Sequence, residues 1–272
     1  MKHKLSKLLI YIGVPVVIVL IAFFVKKAVD SGASIPREAR DNKTNATVEP
    51  VAEPVTETEE PEVSLLETLG VEIPGKDLDW DELQKTNKDI YAWIVVPGTD
   101  VDYPVLQRPD SDDYYLDHNL DGSEGKPGCI YTQTYNEKDF SDPMTVLYGH
   151  NMKDGSMFAG LHAFGDAAFF EDNRYFFIYT PEETFVYEIF GAYEGGDEHL
   201  LLTVDTKTYE SFTYYLQQIL SGDRSMSDHL RSERELGTEL SGNSKIVTLS
   251  TCITGRKEKR WLVQGVLIGQ RP

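Results

Sequence analysis

Three side chains in this 272-residue chain have the types and placements that acyl transfer needs. Cys252 closes the run Lys245-Ile246-Val247-Thr248-Leu249-Ser250-Thr251-Cys252, an apolar strand with a polar end. Period-two alternation puts Thr248, Ser250 and Cys252 on one face and Leu249 and Thr251 on the other. A thiol at the mouth of a strand, beside hydroxyls, is placed to meet a substrate. Two plainer roles stand beside this one: a buried cysteine acting as a small hydrophobe, and a disulfide with Cys129, the second of two cysteines. His150 ends another strand-like run, Met144-Thr145-Val146-Leu147-Tyr148-Gly149-His150, before a polar turn. If the two strands are parallel neighbours, their C-terminal ends bring imidazole and thiol together. Proton exchange between them yields thiolate and imidazolium, a nucleophile and a general acid. Arg260 abuts the final strand-like run and offers a fixed cation for a developing oxyanion. Arg256, Lys257 and Lys259 are nearby competitors, and His118 is the rival base.

Other chemistries lack their signatures. The chain has no GxxxxGK[ST] loop, no HExxH, no GxSxG and no CxxC. Its six histidines include no pair at i, i+4, so no metal ligand set and no cofactor are expected. A net charge of −19 argues against nucleic acid as a partner, because phosphate binding needs a basic surface.

The elements that must position these groups lie in 75–272. A helix starts at Trp80 with Asp79 as its cap. Strand-like runs follow at 92–96, 101–106, 128–131, 144–148, 175–179, 184–193, 245–251 and 261–268. One long helix, 208–220, repeats Phe212, Tyr215, Leu216 and Ile219 at helical spacing. Many short strands in about 200 residues predict a mostly antiparallel barrel or sandwich.

Upstream, composition changes twice. Residues 1–27 carry five Lys and no acid, and Leu8 to Val25 is an eighteen-residue run without a charge. At 1.5 Å per residue it spans roughly 27 Å, a bilayer's hydrocarbon core. Lys26-Lys27 follow where a cleaved leader would have small residues, so an uncleaved signal-anchor is expected, N-terminus cytoplasmic and the bulk of the chain extracellular. Residues 28–74 hold three basic and eleven acidic side chains among Pro, Glu and Thr, the composition of a solvated, self-repelling stalk. The remaining −16 falls on 75–272.

Thr248-Leu249-Ser250-Thr251-Cys252, together with Tyr148-Gly149-His150-Asn151-Met152-Lys153-Asp154-Gly155-Ser156-Met157-Phe158, Tyr114-Tyr115-Leu116, Gly128-Cys129-Ile130-Tyr131 and Arg260, resembles the class B sortases, membrane-anchored cysteine transpeptidases of Gram-positive bacteria. The likeness covers roughly 79–270. It implies a mostly β fold: an eight-stranded sortase-type barrel with peripheral helices, preceded by one transmembrane helix, the 208–220 helix being a class B addition. It implies that Cys252 attacks a C-terminal sorting motif of surface proteins after Thr, with His150 as acid and base and Arg260 on the oxyanion or on the substrate threonine carbonyl. Leu116, Ser250 and Thr251 would line the substrate groove, and an amine of a lipid-linked peptidoglycan precursor would resolve the acyl-enzyme. The class A calcium site is not expected, and Cys129 is expected to be a free, buried thiol. Two alternatives differ in outcome: a pilin-polymerising sortase, and a non-catalytic, membrane-tethered binding module.

Overall fold

The computed structural model describes residues 64–222, 225–226 and 228–272. The Leu8–Val25 span and most of the 28–74 segment lie outside the described residues. Among the described residues no helix is long and apolar enough to cross a membrane.

Among the described residues, nine strands form one sheet: β1 (Ile90–Val96), β2 (Val101–Leu106), β3 (Ile130–Tyr131), β4 (Met144–Tyr148), β5 (Tyr175–Tyr179), β6 (Thr184–Gly196), β7 (His229–Leu230), β8 (Ile246–Ile253) and β9 (Arg256–Arg271). Their order is β5-β1-β2-β3-β4-β8-β9-β6-β7, and β5 also pairs with β6. That last pairing closes eight strands into a barrel and leaves the two-residue β7 outside the ring. Closure removes the exposed edges that an open sheet would carry. Six of the ring's pairings are antiparallel; β2–β3 and β4–β8 are parallel.

The alternation read from the sequence holds through the barrel wall. Ile94, Val105, Leu147, Val247, Leu249 and Val263 belong to the interior cluster. Met144, Val146, Ile246 and Val266 belong to a second cluster on the outer face. That outer cluster is covered by a helix, α6 (Tyr209–Ser221), which buries Phe212, Leu216 and Ile219. Its cap is Thr208, whose side chain accepts from Ser211 N. With both faces covered, β4 and β8 read as near-continuous apolar runs. The shorter helices are α1 (Leu65–Thr68), α2 (Trp80–Thr86), α3 (Tyr114–Asp117), α4 (Ala167–Asp172) and α5 (Leu200–Thr203), with a 3-10 turn over Ala159–Gly165. Asp79 caps α2 as expected, accepting from Glu82 N at 3.0 Å.

The largest differences from the sequence reading are at β6, β9 and residues 64–74. β6 runs to Gly196 and β9 begins at Arg256, because Glu194 to Gly196 pair with Trp261 to Lys259 despite their poor strand composition. Arg260 therefore lies inside β9 rather than just before it. Residues 64–74, stalk-like by composition, pack on the barrel. Leu66 is 3% exposed, the Pro74 carbonyl accepts from the Tyr179 hydroxyl at 2.6 Å, and Leu66 packs where a Cβ on Gly269 would clash. A few apolar side chains suffice to seat such a segment, and average composition conceals them. Leu66→Ala is expected to cost about 2–5 kcal/mol. An unchanged urea midpoint would show instead that the segment contributes nothing to the folded domain.

Candidate active site

The parallel pairing of β4 and β8 brings the two chemical ends together. Tyr148 faces Ser250 in register, and Gly149 N donates to Ser250 O at 3.2 Å. His150 and Cys252 follow immediately on adjacent chains. Gly149 is required at this point: a Cβ there would stand 2.5 Å from Ile130 Cδ1 and 2.7 Å from the Phe158 ring.

On the other side of β8, Cys252 is paired with Arg260 and Ser250 with Leu262. Directly opposed residues of an antiparallel pair share a face, so these four project outward from the barrel wall together. The hairpin between them is tight. Ile253 pairs with Arg256 across Thr254-Gly255, with Gly255 at φ +80°, and a register shift follows at Cys252/Ile253. The eight-residue spacing from Cys252 to Arg260 is thus absorbed by a two-residue turn and a bulge.

All six residues expected at the site line one cleft of about 350 Å³: Leu116, His150, Ser250, Thr251, Cys252 and Arg260. They differ in what they leave free. Cys252 is an exposed, unbridged thiol. The Thr251 hydroxyl is spent on the Gly149 carbonyl, donating at 2.8 Å with the residue 2% exposed, so its part is to tie β8 to the His150 turn. Leu116 is 44% exposed and its carbonyl lies 2.7 Å from His150 Nε2. A carbonyl only accepts, so Nε2 carries the proton in the neutral ring and Nδ1 is the nitrogen left as an acceptor. Gly128 leaves room for that carbonyl, from which a Cβ would stand 2.9 Å. At φ +68° its backbone passes so close to the 115–116 carbonyls that a Cβ would stand 2.6 Å from Tyr115 O.

Arg260 Nη1 donates to the carbonyls of Lys257 and Lys259 at 2.8 and 3.0 Å, which orients the guanidinium. Its rival Arg256 is engaged by Glu194 at 2.5 Å, and Lys257 and Lys259 do not line the cleft. His118 does not line the cleft either. It stacks on Tyr114 with ring centroids 3.8 Å apart, and its Nδ1 lies 2.7 Å from the Asp117 carboxylate. The Cys129 thiol is free and buried, and burial pushes its pKa up to about 12.

Sequence reasoning did not find several other residues here. Tyr131 and Tyr148, stacked at 5.4 Å, form an aromatic wall, and burial pushes the pKa of Tyr148 up to about 12. Asp197, Glu198 and His199 also line the cleft. Nothing local marked them, because they join the site only through the extension of β6 beyond Tyr193. Asn151 and His162 both reach the Cys252 carbonyl. Asn151 lay in plain view beside His150, whereas His162 sits on a 3-10 turn with no motif of its own.

A thiol, an imidazole and a guanidinium in one cleft on a closed eight-stranded barrel define a cysteine enzyme of acyl transfer. The family model described as Sortase domain matches residues 94–268. Sortase B of Listeria monocytogenes is 30% identical over 240 residues, covering 88% of this chain and 91% of that protein. Sortase B of Staphylococcus aureus is 27% identical over 173 residues, covering 64% of this chain and 67% of the relative. Among solved structures, Clostridium perfringens sortase B superposes with a TM-score of 0.60 at 32% identity, covering 70% of this chain and 99% of that one. The Staphylococcus aureus sortase B–substrate complex gives 0.60 at 26% identity, covering 70% and 84%. The chain belongs to the sortase family. It is sortase B-like, a cysteine transpeptidase.

Proposed function

We propose that the protein is a membrane-anchored enzyme that cleaves a C-terminal sorting motif after threonine and passes the acyl group to an amine of a cell-wall precursor. The observation that supports this reading best is the cross-strand pair Cys252–Arg260 beside His150, at the open end of the β4–β8 ladder. The uncharged Leu8–Val25 run, flanked by lysines, supports an anchor with the catalytic domain outside the cell.

Each step follows from the side chains. Cys252 gives its proton to His150 Nδ1, and the thiolate attacks the carbonyl carbon of the motif's threonine. Arg260 holds the negative oxygen of the tetrahedral species. As it collapses, the C–N bond breaks, His150 Nδ1 protonates the departing amine, and a thioester remains on Cys252. An incoming amine then attacks the thioester carbon, His150 takes its proton, and the sulfur leaves. The Leu116 carbonyl, holding Nε2–H, keeps the ring facing one way throughout.

The test incubates the full-length protein with sorting-motif peptides, with and without an oligoglycine or diamine acceptor, and reads products by mass spectrometry. The reading expects a thioester adduct on Cys252 and an amine-dependent ligated product. Turnover with no adduct on Cys252 would overturn it.

The cleft's charge adds a preference. Asp197 and Glu198 are exposed on its wall, and neither has a basic partner within 4.0 Å among the described residues. Unpaired carboxylates beside the binding path favour a cationic side chain in the motif. Exchanging a peptide lysine for a neutral residue is expected to lower kcat/KM about 3–10-fold at low salt, and less at high salt. The double variant Asp197→Asn, Glu198→Gln should erase that difference; if it persists, the selectivity arises elsewhere.

A further inference from the structure

β8 outlasts its parallel neighbour. Pairing with β4 runs from Met144–Ile246 to Tyr148–Ser250, and Gly149 N extends it by one bond, while β8 continues to Ile253. In a strand, alternate residues direct both backbone groups to the same neighbour. Ser250 faces β4, so Cys252 faces the space where β4 has ended, and its carbonyl would have no ladder partner. A backbone acceptor next to a nucleophile, left without a fixed partner, lets the peptide plane tilt.

Two side chains take the missing strand's place. Asn151 Nδ2 donates to Cys252 O at 2.9 Å, and His162 Nε2 lies 3.1 Å from the same oxygen. Asn151 Nδ2 and His162 Nε2 are themselves 3.0 Å apart. With its proton on Nε2 the ring donates to the Cys252 carbonyl, which only accepts, while the two amide hydrogens of Asn151 go to Cys252 O and to Thr254 Oγ1 at 3.3 Å. His162 is itself held. Its ring stacks on Trp261 with centroids 5.7 Å apart, and Trp261 Nε1 donates to the neighbouring Leu161 carbonyl at 2.8 Å. Burial lowers the His162 pKa, which keeps the ring neutral. Asn151 is held too, through its bridge to Met157 and the bond from Phe158 N to His150 O at 2.9 Å.

We infer that Asn151 and His162 are positioning residues for the transpeptidation. Together they fix the peptide plane after Cys252 and so set the reach of its thiol. Because Asn151 follows His150 directly, one bond from its side chain to the Cys252 carbonyl links the residue next to the base with the backbone of the nucleophile, 101 positions away in sequence. The inference rests on the proposed role of Cys252 as nucleophile.

The experiment uses the full-length protein and a fluorogenic sorting peptide, with four variants: Asn151→Ala, Asn151→Asp, His162→Phe and His162→Gln. Asn151→Asp keeps the volume and loses the donor; His162→Gln keeps a donor. Asn151→Ala, Asn151→Asp and His162→Phe are expected to lower kcat roughly 10–100-fold, the scale of a slight misplacement of reacting groups, with KM within about twofold. Alkylation of Cys252 by iodoacetamide should also change in rate. His162→Gln should return kcat to within about threefold of the parent. The inference is overturned if these variants keep full kcat, if kcat falls only in step with thermal stability, or if His162→Gln is no better than His162→Phe. Loss of the clamp alone leaves turnover dependent on Cys252, whereas turnover by Cys252→Ala would overturn the parent reading instead.

Discussion

Cys252→Ala is expected to abolish both peptide cleavage and amine transfer, a fall of roughly 10⁴-fold or more in kcat, as for loss of a covalent nucleophile. Little else should change. Cys252 is exposed, so shortening it to alanine removes no core packing, and the thermal midpoint should match the parent's. The second thiol sharpens the measurement. Cys129 is buried among Ile90, Leu106, Tyr115 and Tyr131, and burial raises its pKa from 9.0 to about 12. At pH 8 it stays a protonated, shielded thiol, so the folded parent should label at one cysteine and folded Cys252→Ala at none. Unfolding should expose one thiol in the variant and two in the parent. Rapid native labelling of Cys252→Ala, or cleavage that survives in it, would remove Cys252 from the role assigned to it.

What could be read from the sequence was the part governed by local periodicity. Strands at 101–106, 144–148 and 175–179 match their observed bounds because each is a short, mostly apolar run with turn residues around it, and in the last two burial on both faces keeps the run nearly continuous. The nearness of His150 and Cys252 was also legible, since it needed only two strand ends and a parallel pairing. What escaped was decided by partners distant in sequence. Lys257, Glu258 and Lys259 lie outside the 261–268 run read from the sequence, but Lys259 pairs with Gly196, 63 positions earlier, and so belongs to β9. That same pairing carries Asp197 and Glu198 to the cleft. His162 had no local signal, because what makes it relevant is a carbonyl 90 residues away. Residues 64–74 escaped for the opposite reason: their acidic, proline-bearing surroundings resemble a stalk, and the one buried leucine that seats them carries little weight in an average.

The second large effect is expected at Arg260. Arg260→Ala should lower kcat about 10²–10³-fold with a smaller change in KM, the size seen when a donor to a transition-state oxyanion is removed. Arg260 opposes Cys252 across the β8–β9 ladder, so guanidinium and thiol leave the wall on the same face, and Nη1 is pinned by two backbone carbonyls of its own turn. An oriented donor needs little rearrangement when charge develops; a free one would need more. Arg260→Lys keeps the charge but not the planar fork, nor the two carbonyl bonds in their present form. It should recover only part of the lost rate, and the shortfall from the parent measures what orientation contributes. Arg256→Ala is the control on the same strand. It breaks an ion pair with Glu194 that is partly exposed, worth about 1 kcal/mol or less, and should leave kcat unchanged. Equal losses at positions 256 and 260 would mean that the cleft needs only positive potential from this strand, and the cross-strand pairing of Arg260 with Cys252 would lose its catalytic meaning.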